Sequence, residues 1–131
     1  MIRTLAAGVA ALLLAAPAAA ADWPVKEGDF TIANFAFGTG ETLPELRQHY
    51  RTLGTPHRGP DGSIDNAVMV LHGTGGSGAQ FLRPQFADEL YGPGQPLDIG
   101  KYFIILPDAI GHGGSSKPSD AIALRRAWNC S

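Results

Sequence analysis

The sequence predicts an α/β fold in which an antiparallel hairpin is followed by a parallel βαβ unit. Two apolar runs, residues 67–71 and 102–106, each end in a glycine-rich loop. Two extended segments with a glycine-containing turn between them, residues 30–37 and 45–53, precede these runs. Apolar strands that stop at glycines and polar groups are typical of the ligand-binding edge of an open α/β sheet. The two loops are therefore the candidate functional region.

The first 21 residues have the pattern of a secretory signal peptide. Arg3 gives a positive start, residues 4–16 are almost wholly apolar, and residues 17–21 are small enough for cleavage. The apolar stretch is shorter than the roughly 20 residues of a membrane-spanning helix. We therefore expect residues 22–120 to form the domain, with no stable membrane anchor after cleavage. The expected location is the periplasm or the outside of the cell.

Charge and cysteine content exclude several kinds of partner and crosslink. The formal net charge is −2, and the basic residues are scattered apart from Arg125 and Arg126. This mild acidic balance gives no electrostatic reason to expect nucleic acid or an anionic membrane as a partner. Cys130 is the one cysteine, so no intrachain disulfide can form. Outside any recognisable strand or turn, its thiol is expected to be inert.

The hairpin is predicted from the two extended segments on either side of residues 38–40. Along the second segment the side chains alternate, and Arg47, His49 and Arg51 fall on one face. A basic face is typical of a solvated strand, so we expect this strand at an edge of the sheet. Residues 57–65 contain a Gly-Pro-Asp-Gly run and are predicted to form a surface loop.

The parallel unit follows from the order strand, glycine loop, short helix, strand, glycine loop. Residues 67–71 are continuously apolar, so both faces of this strand are expected to be covered. Phe81, Phe86 and Leu90 recur near helical spacing, although Pro84 delays the start of a regular helix. The crossover between the two parallel strands is expected to be right-handed.

The first glycine loop allows a dinucleotide-binding interpretation. Residues 73–78 match the G-x-G-x-x-G fingerprint, and Asp108 ends the next strand, where a ribose-binding acid would lie. However, Asp108 comes 30 positions after Gly78, whereas the fingerprint expects a spacing of about 20. Pro84 also interrupts the helix that would hold the pyrophosphate. A nucleotide- or anion-binding module built on this loop is therefore kept as the alternative.

The same loop is also predicted to form part of an oxyanion hole. A loop opened by glycine after a buried strand can turn a backbone N–H toward a carbonyl oxygen that becomes negative during acyl transfer. Thr74 would supply this N–H, Gly73 would let the main chain approach, and His72 would help to shape the loop. A strand-to-helix turn without chemistry would have the same sequence features.

Other candidate catalytic residues have simpler structural explanations. Ser77 lies one residue away from a G-x-S-x-G nucleophile elbow, but no earlier glycine loop could supply its oxyanion donor. Asp108, His112 and Ser115 could be drawn as a triad, yet three members of one loop rarely align. We expect Asp108 to tie its turn through hydrogen bonds to the backbone, and His72 and His112 to be structural. No metal-ligand spacing stands out, and no cofactor is expected.

Five segments of the chain form one pattern when they are taken together: residues 41–47, residues 50–55, the strand ending in His72-Gly73, residues 92–98 and residues 102–105. Together they resemble the amino-terminal part of α/β-hydrolase-fold proteins related to homoserine O-acetyltransferase. The resemblance covers roughly residues 30–120, and its most specific part is Gly-Pro-Gly-Gln-Pro-Leu-Asp at 92–98 followed by the aromatic strand.

The resemblance implies Ser-His-Asp chemistry on a small ester or acyl substrate in the full-length form. In this family the Ser lies on an elbow after the next parallel strand, and the Asp and the His follow it along the chain. None of these positions occurs before Ser131, so we expect a chain truncated before the nucleophile strand and inactive by itself, with residues 121–131 as an atypical tail. Only Thr74, with His72 and Gly73, carries over from the family's site.

Two departures favour an exported hydrolase over a methionine-pathway acetyltransferase. Residues 111–118 look more like the corresponding loop of general α/β hydrolases, and acetyl-CoA is cytoplasmic whereas this chain is expected to be exported. In the family the missing nucleophile strand lies beside residues 67–71. We therefore expect an exposed apolar edge there, which would favour aggregation or strand pairing.

Overall fold

The computed structural model describes residues 22–120. Its elements in chain order are β1 (Lys26–Ala36), β2 (Thr42–Leu53), β3 (Ala67–Met69), a 3₁₀ turn (Gly78–Leu82), α1 (Pro84–Leu90) and β4 (Phe103–Pro107). The predicted signal peptide and the predicted atypical tail lie outside the described residues. Within them, no helix is long and apolar enough to cross a membrane.

The strands form one sheet in the order β1-β2-β4-β3. β1 pairs antiparallel with β2, and β2 pairs antiparallel with β4. β3 pairs parallel with β4, with Val68 opposite Ile104. The α1 helix begins at Pro84, because a proline at the first helical position removes no intrahelical hydrogen bond. The predicted hairpin and the predicted parallel unit are both confirmed.

The prediction that the second hairpin strand is an edge strand is wrong. In the described sheet β2 lies between β1 and β4. Its basic face is neutralised by carboxylates: His49 Nδ1 lies 2.8 Å from Asp29 Oδ1, and Arg51 Nε donates to Glu27 at 2.7 Å. Arg51 also donates to Asp108 at the end of β4. Because acidic partners replace water, a basic face is compatible with a central strand.

The strand β3 and the residues that follow it are covered on one face within the described part of the chain. Val68 and Val70 pack against the core. Met69 and Leu71 alternate with them and are 60% and 68% exposed. The prediction that both faces are covered is therefore wrong for these residues. The predicted exposed apolar edge is present, because β3 is the last strand of the described sheet.

The main core holds α1 against the sheet. Leu53, Ile104 and Leu106 of the sheet pack with Ala87 of the helix and with Tyr91, which follows it. All five side chains are almost fully buried. Burial of one large aliphatic side chain contributes about 1.5–3 kcal/mol, so this cluster fixes the helix. The glycine loop that connects β3 to α1 is therefore held at both ends.

Candidate functional site

The two glycine loops meet where β3 and β4 end. Because these strands are parallel, residues 72–78 and 108–116 leave the sheet at the same edge. An open cleft of about 570 Å³ lies there. Both loops contribute to its lining, which is Thr74, Gly75, Gly76, Ser77, Ala79, Gln80, Arg83 and Gly113.

Two histidines join the loops reciprocally. His72, from the first loop, accepts the backbone N–H of Ala109 through Nε2 at 2.9 Å. His112, from the second loop, accepts the backbone N–H of Gly75 through Nε2 at 3.4 Å. The two ring centroids are 5.4 Å apart. We call this pair the linking histidines, because each ring fixes the backbone of the opposite loop.

The hydrogen-bond partners of the linking histidines indicate where the ring protons lie. His72 Nδ1 is 2.8 Å from the Gly73 carbonyl oxygen, and His112 Nδ1 is 3.3 Å from the Ile110 carbonyl oxygen. A carbonyl oxygen can only accept, so each Nδ1 carries the proton and each Nε2 presents a lone pair. Both nitrogens of each ring are thus engaged with the backbone. These bonds are those of structural residues, and the part of His72 in shaping an oxyanion loop stays a prediction.

Asp108 ties both loops to β2. Its Oδ1 accepts from the Gly78 N–H at 2.7 Å and from Arg51 Nη1 at 3.1 Å, and its Oδ2 accepts from the Gly114 N–H at 2.7 Å. Burial alone would raise the pKa of Asp108, but the N–H groups of Gly114 and Gly78 and the charge of Arg51 outweigh burial and lower this pKa. The predicted tie between Asp108 and the backbone is confirmed.

The burial of Asp108 disfavours the dinucleotide interpretation. A ribose-binding acid must be open to the ligand, whereas the Asp108 side chain is buried and its carboxylate is occupied by protein donors. In addition, the chain after Gly78 forms a 3₁₀ turn before α1 begins at Pro84. A pyrophosphate would therefore not meet the helix start that the fingerprint requires.

Among the described residues, no serine hydroxyl of the two loops bonds to a histidine ring. Ser115 Oγ donates to the Asp108 carbonyl at 2.6 Å and accepts from the His49 N–H at 2.9 Å. Ser77 lines the cleft, and its hydroxyl does not cap the following 3₁₀ turn. All four histidines lie among the described residues, and the hydrogen bonds of their rings go to carboxylates or to the backbone, none of them to a serine hydroxyl. No Ser-His-Asp arrangement forms within residues 22–120.

Thr74 lines the cleft, and hydrogen bonds fix the peptide group before it, Gly73–Thr74, and the one after it, Thr74–Gly75. The N–H of Gly75 donates to His112, and the N–H of Gly76 donates to the Gly73 carbonyl at 3.1 Å. Within residues 22–120, the Thr74 N–H donates to no protein acceptor. A backbone N–H that is left free on a rigid loop is what an oxyanion donor requires.

The glycines of the first loop have different reasons to be glycine. A Cβ at Gly78 would lie 2.5 Å from the Leu106 carbonyl oxygen, so this glycine lets the loop pack against β4. Gly75 has a φ of +78°, which favours glycine. A Cβ at Gly73 would meet nothing within 4 Å among the described residues. The space beside Gly73 is therefore open, and the close approach to a ligand that we predicted there stays a prediction.

Two arginines of the site were missed by the sequence analysis. Arg51 lies 57 positions before Asp108, the carboxylate that it contacts, and Arg83 lines the cleft from the residue before α1. Neither belongs to a motif with a recognisable spacing. For Arg51, the alternation of basic residues along β2 was a signal, but it was interpreted as solvation.

The comparisons with known proteins relate the chain to enzymes of acyl chemistry. No protein-family model matches. A probable acyltransferase of Methanothermobacter thermautotrophicus is 37% identical over 90 residues, which are 69% of this chain and 27% of that protein. A homoserine O-acetyltransferase of Thermobifida fusca is 35% identical over 98 residues, with 69% and 25% covered. The structure of an acetylester hydrolase from Corynebacterium glutamicum matches with a TM-score of 0.57 and 26% identity, covering 71% of this chain and 24% of that one.

Fold, site location and relatives agree on one class of protein. The described residues form part of an α/β-hydrolase fold, with its hairpin and a parallel βαβ unit. The chain resembles the amino-terminal part of α/β-hydrolase superfamily proteins, in the branch of the homoserine O-acetyltransferases. It spans about a quarter of the length of the curated relatives that it matches. The predicted fold class and the predicted resemblance are confirmed.

Proposed function

We propose that the first glycine loop is the oxyanion side of an acyl-transfer or ester-hydrolysis site for a small ester or acyl substrate. The observation that carries this proposal is the free N–H of Thr74 on a loop that the linking histidines hold in place. The names of the relatives, an acyltransferase, a homoserine O-acetyltransferase and an acetylester hydrolase, all describe acyl chemistry.

The chemistry assigns Thr74 a defined role. A nucleophile adds to the acyl carbonyl, negative charge develops on the carbonyl oxygen, and the Thr74 N–H donates a hydrogen bond to that oxygen. His72 and His112 hold the donor in place and do not take a proton, because both nitrogens of each ring are occupied. The nucleophile and its base would come from further polypeptide in a form of the relatives' size.

We infer that the chain by itself does not hydrolyse esters. No described serine has a histidine to activate it, so hydrolysis of p-nitrophenyl acetate by the purified full chain is expected to equal the background rate. The Ser77→Ala variant is expected to give the same rate. Turnover that Ser77→Ala abolishes would show that Ser77 is a nucleophile and would overturn this inference.

The role of Thr74 is testable in a chimera. Residues 22–120 would replace the matching segment of the Corynebacterium glutamicum acetylester hydrolase, which supplies the rest of an enzyme. Thr74→Pro removes the N–H, and loss of one oxyanion donor lowers turnover by roughly 10²–10³-fold. Thr74→Ala keeps the N–H and serves as the matched control. Equal activity of the two variants would contradict the proposal.

We also propose that the protein is exported to the periplasm or secreted. The support is the charged start, the apolar stretch and the small residues of positions 1–21. Expression in a bacterial host followed by mass measurement is expected to give an exported product that begins near Asp22. Ala21→Arg is expected to block processing. A cytoplasmic product of unprocessed mass would contradict export.

A further inference from the structure

Arg83 places a positive charge in the cleft that contains Thr74. Of the described residues that line the cleft, Arg83 is the one with a formal charge. None of the ion pairs among the described residues involves Arg83. Its guanidinium is therefore available to an external partner.

The surroundings of Arg83 favour an anion. Ser77 and Gln80 add a hydroxyl and an amide to the lining, and no Asp or Glu side chain contributes to it. The backbone near the charge is ordered, because the Arg83 N–H donates to the Gln80 carbonyl at 3.4 Å and Arg83 accepts from the N–H groups of Phe86 and Ala87 at 2.9 Å. A ligand oxygen thus meets a cation, a hydroxyl and an amide, without repulsion from a lining carboxylate.

We propose that this cleft binds the carboxylate or phosphate group of an acyl substrate, and that Arg83 recognises that group. The planar guanidinium presents paired N–H donors whose spacing matches both oxyanions, which a neutral side chain cannot replace. The inference rests on the proposed function for one point, that the acyl carbonyl of the same substrate contacts Thr74. It narrows the substrate class from small esters in general to esters or thioesters that carry a negative charge.

The charge also predicts discrimination against neutral substrates. A neutral ester could contact Thr74 but would leave the guanidinium without a partner in the cleft. A charged hydrogen bond is stronger than a neutral one, so anionic compounds are expected to bind more tightly than neutral compounds of the same size. Acetamide is a suitable neutral counterpart of acetate.

Binding is measured by nuclear magnetic resonance titration of the ¹⁵N-labelled full chain. Sodium phosphate, sodium acetate and acetamide are added in separate arms, with chloride keeping the ionic strength constant. Saturable shifts at the amides of residues 74–80 are expected with the two anions and not with acetamide. Tighter binding of phosphate would indicate a phosphorylated substrate, and tighter binding of acetate a carboxylate substrate. Shifts that are equal for acetamide and acetate would overturn the proposal.

Variants test the assignment to Arg83. Arg83→Gln is expected to weaken anion binding by roughly tenfold or more, whereas Arg83→Lys, which keeps the charge without the fork, loses less. Arg58→Gln removes an exposed arginine outside the cleft and is the matched control. Equal affinities of the Arg83→Gln and Arg58→Gln variants, with native amide spectra, would overturn the role of Arg83.

The binding test and the turnover test fail separately. Anion binding that depends on Arg83, together with equal turnover of the two Thr74 variants in the chimera, would overturn the proposed function alone. Turnover that depends on the Thr74 N–H, together with anion binding that ignores Arg83, would overturn the assignment of Arg83 alone.

Discussion

His72 Nε2 accepts the backbone N–H of Ala109 at 2.9 Å, so a side chain after β3 fixes the backbone after β4. The bond requires a lone pair on Nε2, and the contact of Nδ1 with the Gly73 carbonyl requires a proton on Nδ1. The His72 ring therefore orients the Gly73–Thr74 peptide, which carries the N–H of the predicted oxyanion donor, and the His112 ring accepts the N–H of the peptide that follows Thr74. Protonation of Nε2 would break this arrangement.

The tautomer of His72 is the first prediction. Long-range ¹H–¹⁵N correlation spectra of the full chain, recorded where the ring is neutral, are expected to show a protonated Nδ1 and an unprotonated Nε2. His112 is expected to show the same tautomer. A protonated Nε2 on neutral His72 would contradict the bond from the Ala109 N–H, because two donors cannot face each other at 2.9 Å.

Asp108→Asn is expected to destabilise the fold by about 2–3 kcal/mol, because it removes charged hydrogen bonds and turns an amide NH₂ toward a backbone donor. Chemical denaturation at neutral pH measures the change. Asp22→Asn, at an exposed position, is the matched control and is expected to leave the free energy of unfolding unchanged. Equal stability of the two variants would contradict the tie between the loops.

The pH dependence of the same variant has a defined sign. The pKa of Asp108 in the folded state lies below its ordinary value of 3.8. The ionised carboxylate therefore stabilises the fold above that value, and this contribution is lost as the pH falls through the folded-state pKa. The difference in stability between the native chain and Asp108→Asn is expected to shrink on acidification below about pH 4. A difference that grows on acidification would contradict it.

Arg51 is expected to contribute more than its neighbour on the same face of β2. It contacts both Glu27 and Asp108, so Arg51→Met breaks two charged contacts and leaves the buried Asp108 carboxylate with less compensation. We expect a loss of about 1.5–3 kcal/mol. Arg47 is exposed, and Arg47→Met is expected to change stability by less than about 0.5 kcal/mol. Thermal unfolding of both variants checks the order.

Two glycines of the first loop are expected to differ in how strongly alanine destabilises the fold. Gly78→Ala places a methyl group against the Leu106 carbonyl, and such overpacking costs about 1–3 kcal/mol. Gly73→Ala meets open space and is expected to leave the free energy of unfolding nearly unchanged. Denaturant titration compares them. A large loss at Gly73 together with none at Gly78 would contradict the packing of this loop.

These residues show which parts of the molecule are predictable from sequence. Glycine loops after apolar strands are local signals, so the site and the parallel unit could be located. The partners of Arg51 lie on β1 and after β4, far away in sequence. A local pattern can therefore identify a basic face without revealing whether water or a carboxylate neutralises it, and this is why β2 was misplaced at an edge.

The exposed edge of β3 was predicted from the fold of the family, whereas its exposed face was not predicted. Residues 67–71 look like a strand buried on both faces, yet Met69 and Leu71 are exposed among the described residues. The residue types of a strand indicate which surroundings it is suited to. They do not indicate whether an element that covers it is present among the described residues.

The unpaired edge of β3 in the described sheet is expected to make the chain self-associate. Residues 67–71 contain no charge, whereas β1 at the opposite edge carries Lys26, Glu27 and Asp29, which oppose strand pairing. Met69→Lys is therefore expected to reduce association, and sedimentation velocity over a range of concentrations measures it. Phe30→Lys, at a position equally exposed on β1, is the matched control. If the two substitutions reduce association equally, general hydrophobicity is responsible rather than the edge of β3.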